Sequence, residues 1–171
     1  GLRIFHEPAR LRGLIEALVA IKKVPLFVKL PPWPRYAENR QKILKIAETA
    51  VDAGVEGLVV ANTHPIESNR MHMGRGGLSG APLFEHTELM ISDVQAVVQD
   101  QVSIVACGGV STAEQVWGLL AKGASAVQLY TSFVYEGLGL PIRINKRLVK
   151  LMNSAGVEST SEITGSPPSV Y

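Results

Sequence analysis

Four short apolar runs, starting near residues 25, 56, 103 and 126, alternate along the chain with stretches of helical spacing. Alternation of this kind predicts an α/β fold with parallel strands, because parallel neighbours need a crossover connection between them. Polar or glycine-rich residues follow the last three runs and the first carries Lys29 near its end, and (β/α) barrels carry their chemistry at the carboxyl ends of strands. Such barrels usually need eight units and roughly 250 residues. The 171 residues here supply four parallel strands with helices, which predicts about the second half of a (β/α)8 TIM barrel.

Pro8 to Ile21 reads as an amphipathic helix, with Leu11, Leu14, Ile15, Leu18 and Val19 at helical spacing and Pro8 in its first turn. Pro25–Leu30 then reads as a short buried strand whose one charge is Lys29. That lysine either snorkels from an edge strand or points inward, and an inward ammonium needs an anionic partner. Pro31, Pro32, Trp33 and Pro34 stop the strand. Glu38 to Ala53 is the next helix, with Ile43, Leu44, Ile46, Ala47 and Ala50 on its inner side and Gly54 as its stop.

Val55 to Ala61 is the second strand and ends in Asn62-Thr63-His64. Asn62 offers a donor and an acceptor at once, which suits a ring with alternating N–H and C=O groups, or else caps an Asx turn. Residues 64–80 read as a long loop closing in Gly76-Gly77-Leu78-Ser79-Gly80. Its glycines expose backbone N–H groups, and Pro82 can start a helix, so this end is one candidate anion cradle. Leu83 to Val98 follows as a helix with Leu89, Met90, Val94 and Val97 expected inside.

Val102 to Tyr135 organises the rest. A compact run, Ser103–Cys107, ends in Gly108-Gly109; Ser111–Lys122 is helical with Ser111 or Thr112 as its N-cap; and Ala126–Leu129 ends in Tyr130-Thr131-Ser132. Two parallel strands thus present a Gly-Gly backbone and a Tyr-Thr-Ser tip at the same end. In barrels the loops after the last two strands hold a phosphate there, although Gly-Gly also serves any tight βα turn. Cys107 is expected to fill a small apolar slot. Pro141 to Ala155 is the last helix, with a solvated basic side of Arg143, Lys146, Arg147 and Lys150. Val157–Gly165 has room for one short turn, so the domain is expected to span 1–165, with 166–171 as a loose tail.

The totals exclude several classes. A net charge of +2 is too small to argue for nucleic acid. One cysteine excludes an internal disulfide framework and a Cys-rich metal site, and His72 and His86 lack ligand spacing, so no metal is expected. No apolar run reaches membrane-spanning length. The chain opens on Gly1-Leu2-Arg3 without Met, which is expected of a processed product or a fragment.

Together the motifs resemble dihydroorotate dehydrogenase, most closely the carboxyl-terminal half of its quinone-dependent class. The matching pieces are GLR at the start, VKL with Lys29, Asn62-Thr63, GGLSGAPL at Gly76 to Leu83, CGGVST at Cys107 to Thr112, and GASAVQLYTS at Gly123 to Ser132. GGLSG, a small residue and Pro-Leu point to the quinone class. The resemblance implies FMN as cofactor, oxidation of dihydroorotate to orotate in pyrimidine synthesis, and a quinone as electron acceptor.

It further implies that Lys29 lies beside the flavin pyrimidine ring, that Asn62 binds the orotate ring, and that Thr63 lines both. Ser79, Gly80, Gly108, Gly109, Tyr130 and Thr131 would surround the FMN phosphate and ribityl chain. The catalytic base is expected upstream of Gly1, so no catalytic residue is assigned within this chain. The other half of the barrel and a membrane-facing segment are expected there too, which implies membrane association of the whole. Pro31, Pro32 and Trp33 after Leu30, and His64 after Asn62-Thr63, depart from the family pattern. The chain alone is expected to be inactive and to oligomerise or aggregate. A phosphate- or flavin-binding half-barrel without catalysis, closing as a homodimer, and an FMN barrel oxidoreductase with another substrate remain as alternatives.

Overall fold

A computed structural model describes residues 7–32 and 37–163, with the side chains of 37–39 left aside. Helix α1 (Pro8–Ile21) buries Leu11 and Ile15, four apart on one face, while Leu14 and Leu18 stay partly exposed. Strand β1 (Phe27–Lys29) follows. Helix α2 (Ala37–Asp52) turns Ile43, Ile46, Ala47 and Ala50 inward. Strand β2 (Gly57–Val60) is buried throughout.

The run 64–80, expected as a loop, instead contains an antiparallel hairpin of β3 (His64–Glu67) and β4 (Arg75–Leu78). Its register pairs His64 with Leu78 and Glu67 with Arg75. The amide of Ser68 donates to the Gly74 carbonyl at 3.0 Å and closes the turn. Trp33 and Pro34 and the tail 166–171 lie outside the described residues.

A single 3-10 turn, Ala81–Leu83, leads into α3 (Phe84–Val98), which buries Met90, Ile91, Val94 and Val98. Leu89, expected inside, is 58% exposed, because Ile91 and Val98 complete the inner stripe instead. Strand β5 (Ser103–Cys107), α4 (Ala113–Ala121), β6 (Ala126–Gln128), α5 (Thr131–Glu136) and α6 (Leu140–Ala155) complete the order, and a 3-10 turn at Thr160–Glu162 follows. Thr112 caps α4 in a reciprocal box with Gln115: each side chain accepts from the other residue's amide, at 3.2 Å in both directions.

The four sheet strands run parallel in the order β1-β2-β5-β6, with Phe27 beside Gly57, Gly57 beside Ser103 and Val105 beside Ala126. Successive side chains alternate between faces. Leu58, Val60, Ile104 and Ala106 point to one face and are fully buried in the core shared with the helices. Each of the larger side chains stabilises the fold by about 1.5–3 kcal/mol through that burial. Phe27, Lys29, Val59, Val105, Cys107, Ala126 and Gln128 share the other face, where Phe27, Lys29, Ala126 and Gln128 are exposed. The sheet is an open four-stranded segment of a (β/α)8 barrel, and this second face is the barrel interior. For the same reason β1 and β6, expected as buried strands, each expose two of their three residues.

The β1 edge is fastened to β2 by a polar clasp. The Leu26 amide donates to Glu56 Oε2 at 2.7 Å, the Glu56 amide donates to the Leu26 carbonyl at 3.0 Å, and Lys22 Nζ bonds Glu56 Oε1. The Lys22 bond and the Leu26 amide hold the Glu56 carboxyl below its ordinary value. The unfolded chain therefore binds this proton more readily than the folded one. The stability so gained is present above the ordinary carboxylate pKa and is lost as pH falls through the depressed one. We expect Glu56→Gln to flatten the acid limb of a urea-midpoint profile against pH; an unchanged limb would show that the clasp adds no pH-dependent stability.

Candidate functional site at the carboxyl ends of the strands

The polar residues after β1, β2, β5 and β6 converge because parallel strands end on the same side. They surround a cavity of about 380 Å³, within the range of small-molecule sites. Lys29, Asn62, Thr63, Ser79, Gly80, Gly108, Gly109, Tyr130 and Thr131 all line it. The motifs and the resemblance they carry marked each of these as a site residue, and the fold brings all of them to one place.

Lys29 lies on the open face at the end of β1, and its ammonium donates to Cys107 Sγ at 3.6 Å. Edge position and inward direction, alternatives in the sequence, thus hold together. Cys107 is half-buried on the open face rather than in an apolar slot, because its place in β5 shares the parity of Val105. Lys29 is the one charged side chain lining the cavity among the described residues, so the local field favours an anion. Asn62 Oδ1 accepts from the Thr63 amide at 2.8 Å, a contact to the adjacent residue rather than an Asx turn. Both side chains remain exposed.

The two candidate anion cradles meet. Gly80 has φ +84°, and a Cβ there would lie 2.9 Å from Thr131 Cγ2. Gly109 has φ +75°, and its Cβ would sit 2.4 Å from the backbone nitrogen of Phe84. The Gly108-Gly109 turn is therefore pressed against the start of α3, which only glycine permits. Ser132 Oγ donates to the Val110 carbonyl at 2.5 Å and joins the β5–α4 turn to the start of α5.

Ser132 of the Tyr-Thr-Ser tip lines the cavity as well, and so do Cys107 and Gln128, which the sequence reading does not assign to it. Gln128 is the register partner of Cys107, so alternation back from Tyr130 along β6 is the signal that marks it. His64 packs its ring 5.9 Å from that of His86, between the hairpin and α3, and does not line this cavity. His72 is exposed. Among the described residues no group of three or more His, Cys, Asp or Glu is placed to hold a metal, and no helix is long and apolar enough to cross a membrane.

Comparison with known proteins places this geometry. A family model for dihydroorotate dehydrogenase matches residues 1–152. The dihydroorotate dehydrogenase (quinone) of Cereibacter sphaeroides is 35% identical, aligned over 96% of this chain and 48% of the relative. That of Halobacterium salinarum is 38% identical over 96% and 47%. The crystal structure of the Eimeria tenella enzyme in complex with ferulenol superposes with a TM-score of 0.80 at 28% identity, over 96% of this chain and 50% of that one. Its ligand-free form matches equally well, at 29% identity. The chain spans about half the length of the curated relatives it matches. With its family match, its half-barrel and its cavity at the strand ends, the chain belongs to the dihydroorotate dehydrogenase family.

Proposed function

We propose that the chain forms the FMN-phosphate and ring-binding half of a quinone-dependent dihydroorotate dehydrogenase, which oxidises dihydroorotate to orotate. The observation that carries this reading is the convergence of the residues after all four sheet strands on one cavity whose lining holds a single charge, Lys29. The lining suits FMN chemically. Gly80 and Gly109 leave room where a Cβ would collide, hydroxyls of Ser79 and Thr131 stand beside them, and backbone N–H groups near glycine receive phosphate well. Bound FMN supplies the acceptor for the hydride that leaves the substrate.

The chain's own residues bind and orient. Lys29 holds positive charge beside the ring system and favours negative charge developing there. Asn62 would offer donor and acceptor to the planar substrate, Thr63 would line both flavin and substrate, and Gly108 and Tyr130 would surround the phosphate and ribityl chain with Ser79, Gly80, Gly109 and Thr131. The group that takes the substrate proton is assigned to the other half of the barrel, as is the contact with the membrane and quinone. Positioning of this kind contributes most when both reactants are held together.

The test is dye reduction by dihydroorotate with added FMN, using this chain alone and with the complementary barrel half. Activity only in the mixture is the expected outcome. Turnover by the chain alone would move the base into this chain, and FMN binding without turnover in either case would favour a non-catalytic half-barrel.

A further inference from the structure

Lys29 stands at the end of an edge strand and has no carboxylate partner among the described residues. A four-carbon stem in that setting has several rotamers open to it, and a free ammonium would spread its charge over all of them. The contact that selects one rotamer is Cys107 Sγ, which accepts from Nζ at 3.6 Å. The strand parity makes this contact reachable. Lys29 is the register partner of Val59 and Val59 of Val105, so Cys107, two residues beyond Val105, lies on the same face and one step nearer the cavity. The sulfur thus draws the ammonium along the face toward the Gly108-Gly109 turn rather than out past the sheet edge.

We propose that Cys107 is a positioning residue that aims the Lys29 ammonium into the cavity. Cys107 acts through Lys29 and needs no contact with a ligand. This inference rests on the proposed flavin-site reading for its ligand but not for its contact, and the two are separable by experiment. Cys107 is the chain's sole cysteine, so alkylation reports on one atom. The rate ratio of iodoacetate to iodoacetamide senses positive charge beside the sulfur, because the thiol's own reactivity cancels in the ratio. We expect Lys29→Met to lower that ratio about fivefold, while Lys23→Met leaves it unchanged.

FMN affinity of the full chain, followed by flavin fluorescence, tests the consequence. Cys107→Val is expected to weaken binding about fivefold, Cys107→Ser to restore it through a hydroxyl acceptor, and Cys107→Val to add nothing when Lys29 is already methionine. An unchanged alkylation ratio in Lys29→Met overturns the contact. A lowered ratio with unaltered FMN affinity in Cys107→Val overturns the positioning, as does an equal loss in both Lys29 backgrounds, which marks mere packing. A lowered ratio in a chain that binds no FMN overturns the flavin-site reading, and the positioning with it, while the contact stands.

Discussion

On the proposed function, Lys29→Met is expected to lower the dihydroorotate-dependent turnover of the completed barrel by about two to three orders of magnitude, the usual effect of removing a preorganised group that meets developing charge. The size follows from its isolation. No second charged side chain lines the cavity among the described residues, so none of these residues replaces the lost field. The effect falls on kcat more than on KM, since charge develops during transfer rather than on binding. Lys29→Arg recovers only part of it, because a planar guanidinium cannot occupy the site of a compact ammonium. Steady-state kinetics of both variants decides the matter, and a methionine variant with near-normal kcat would assign the charge elsewhere.

The second large effect is on stability. Gly109→Ala destabilises the chain by about 2–4 kcal/mol, combining a left-handed backbone with a collision that neighbouring atoms cannot relieve. The atom in the way is the Phe84 backbone nitrogen, 2.4 Å from the added carbon, and α3 would have to move as a body to make room. Gly13 gives the opposite sign. It lies inside α1 with nothing within 4 Å of an added Cβ, so Gly13→Ala stabilises by about 0.5–1 kcal/mol. Urea midpoints of the two variants measure both. Equal shifts would mean that the contact at Gly109 relaxes freely.

Much of this was legible in the sequence, for physical reasons that differ between segments. The cores of β2 and β5 announce themselves because interior parallel strands are apolar on both faces or nearly so. The end of β1 is less plain: Phe27 and Lys29 lie on the open face of the sheet and are exposed, although an apolar run such as Leu26-Phe27-Val28 reads as buried. The hairpin escaped notice because Arg75-Gly76-Gly77-Leu78 carries no β-branched residue, and its pairing is secured by the facing strand. Met90 and Val94 face inward as expected while Leu89 does not; the apolar run Leu89-Met90-Ile91 is wider than the buried stripe, which takes Met90 and Ile91, and sequence alone does not choose among the three. Most of the candidate site was readable because it consists of strand ends. Gln128 is marked only by alternation back from Tyr130, and the expected apolar slot for Cys107 fails because its direction depends on sheet register, which a single chain of letters does not give.

The cap on α4 has a bearing on how a ligand arrives. Thr112 and Gln115 satisfy each other's backbone amides, and Ser132 is already bonded to the Val110 carbonyl. The rear wall of the cavity thus depends on no anion for its order. On the proposed flavin-site reading, an incoming phosphate would meet a preorganised surface and lose little affinity to freezing it. Whatever conformational adjustment accompanies binding would be left to exposed lining side chains such as Asn62.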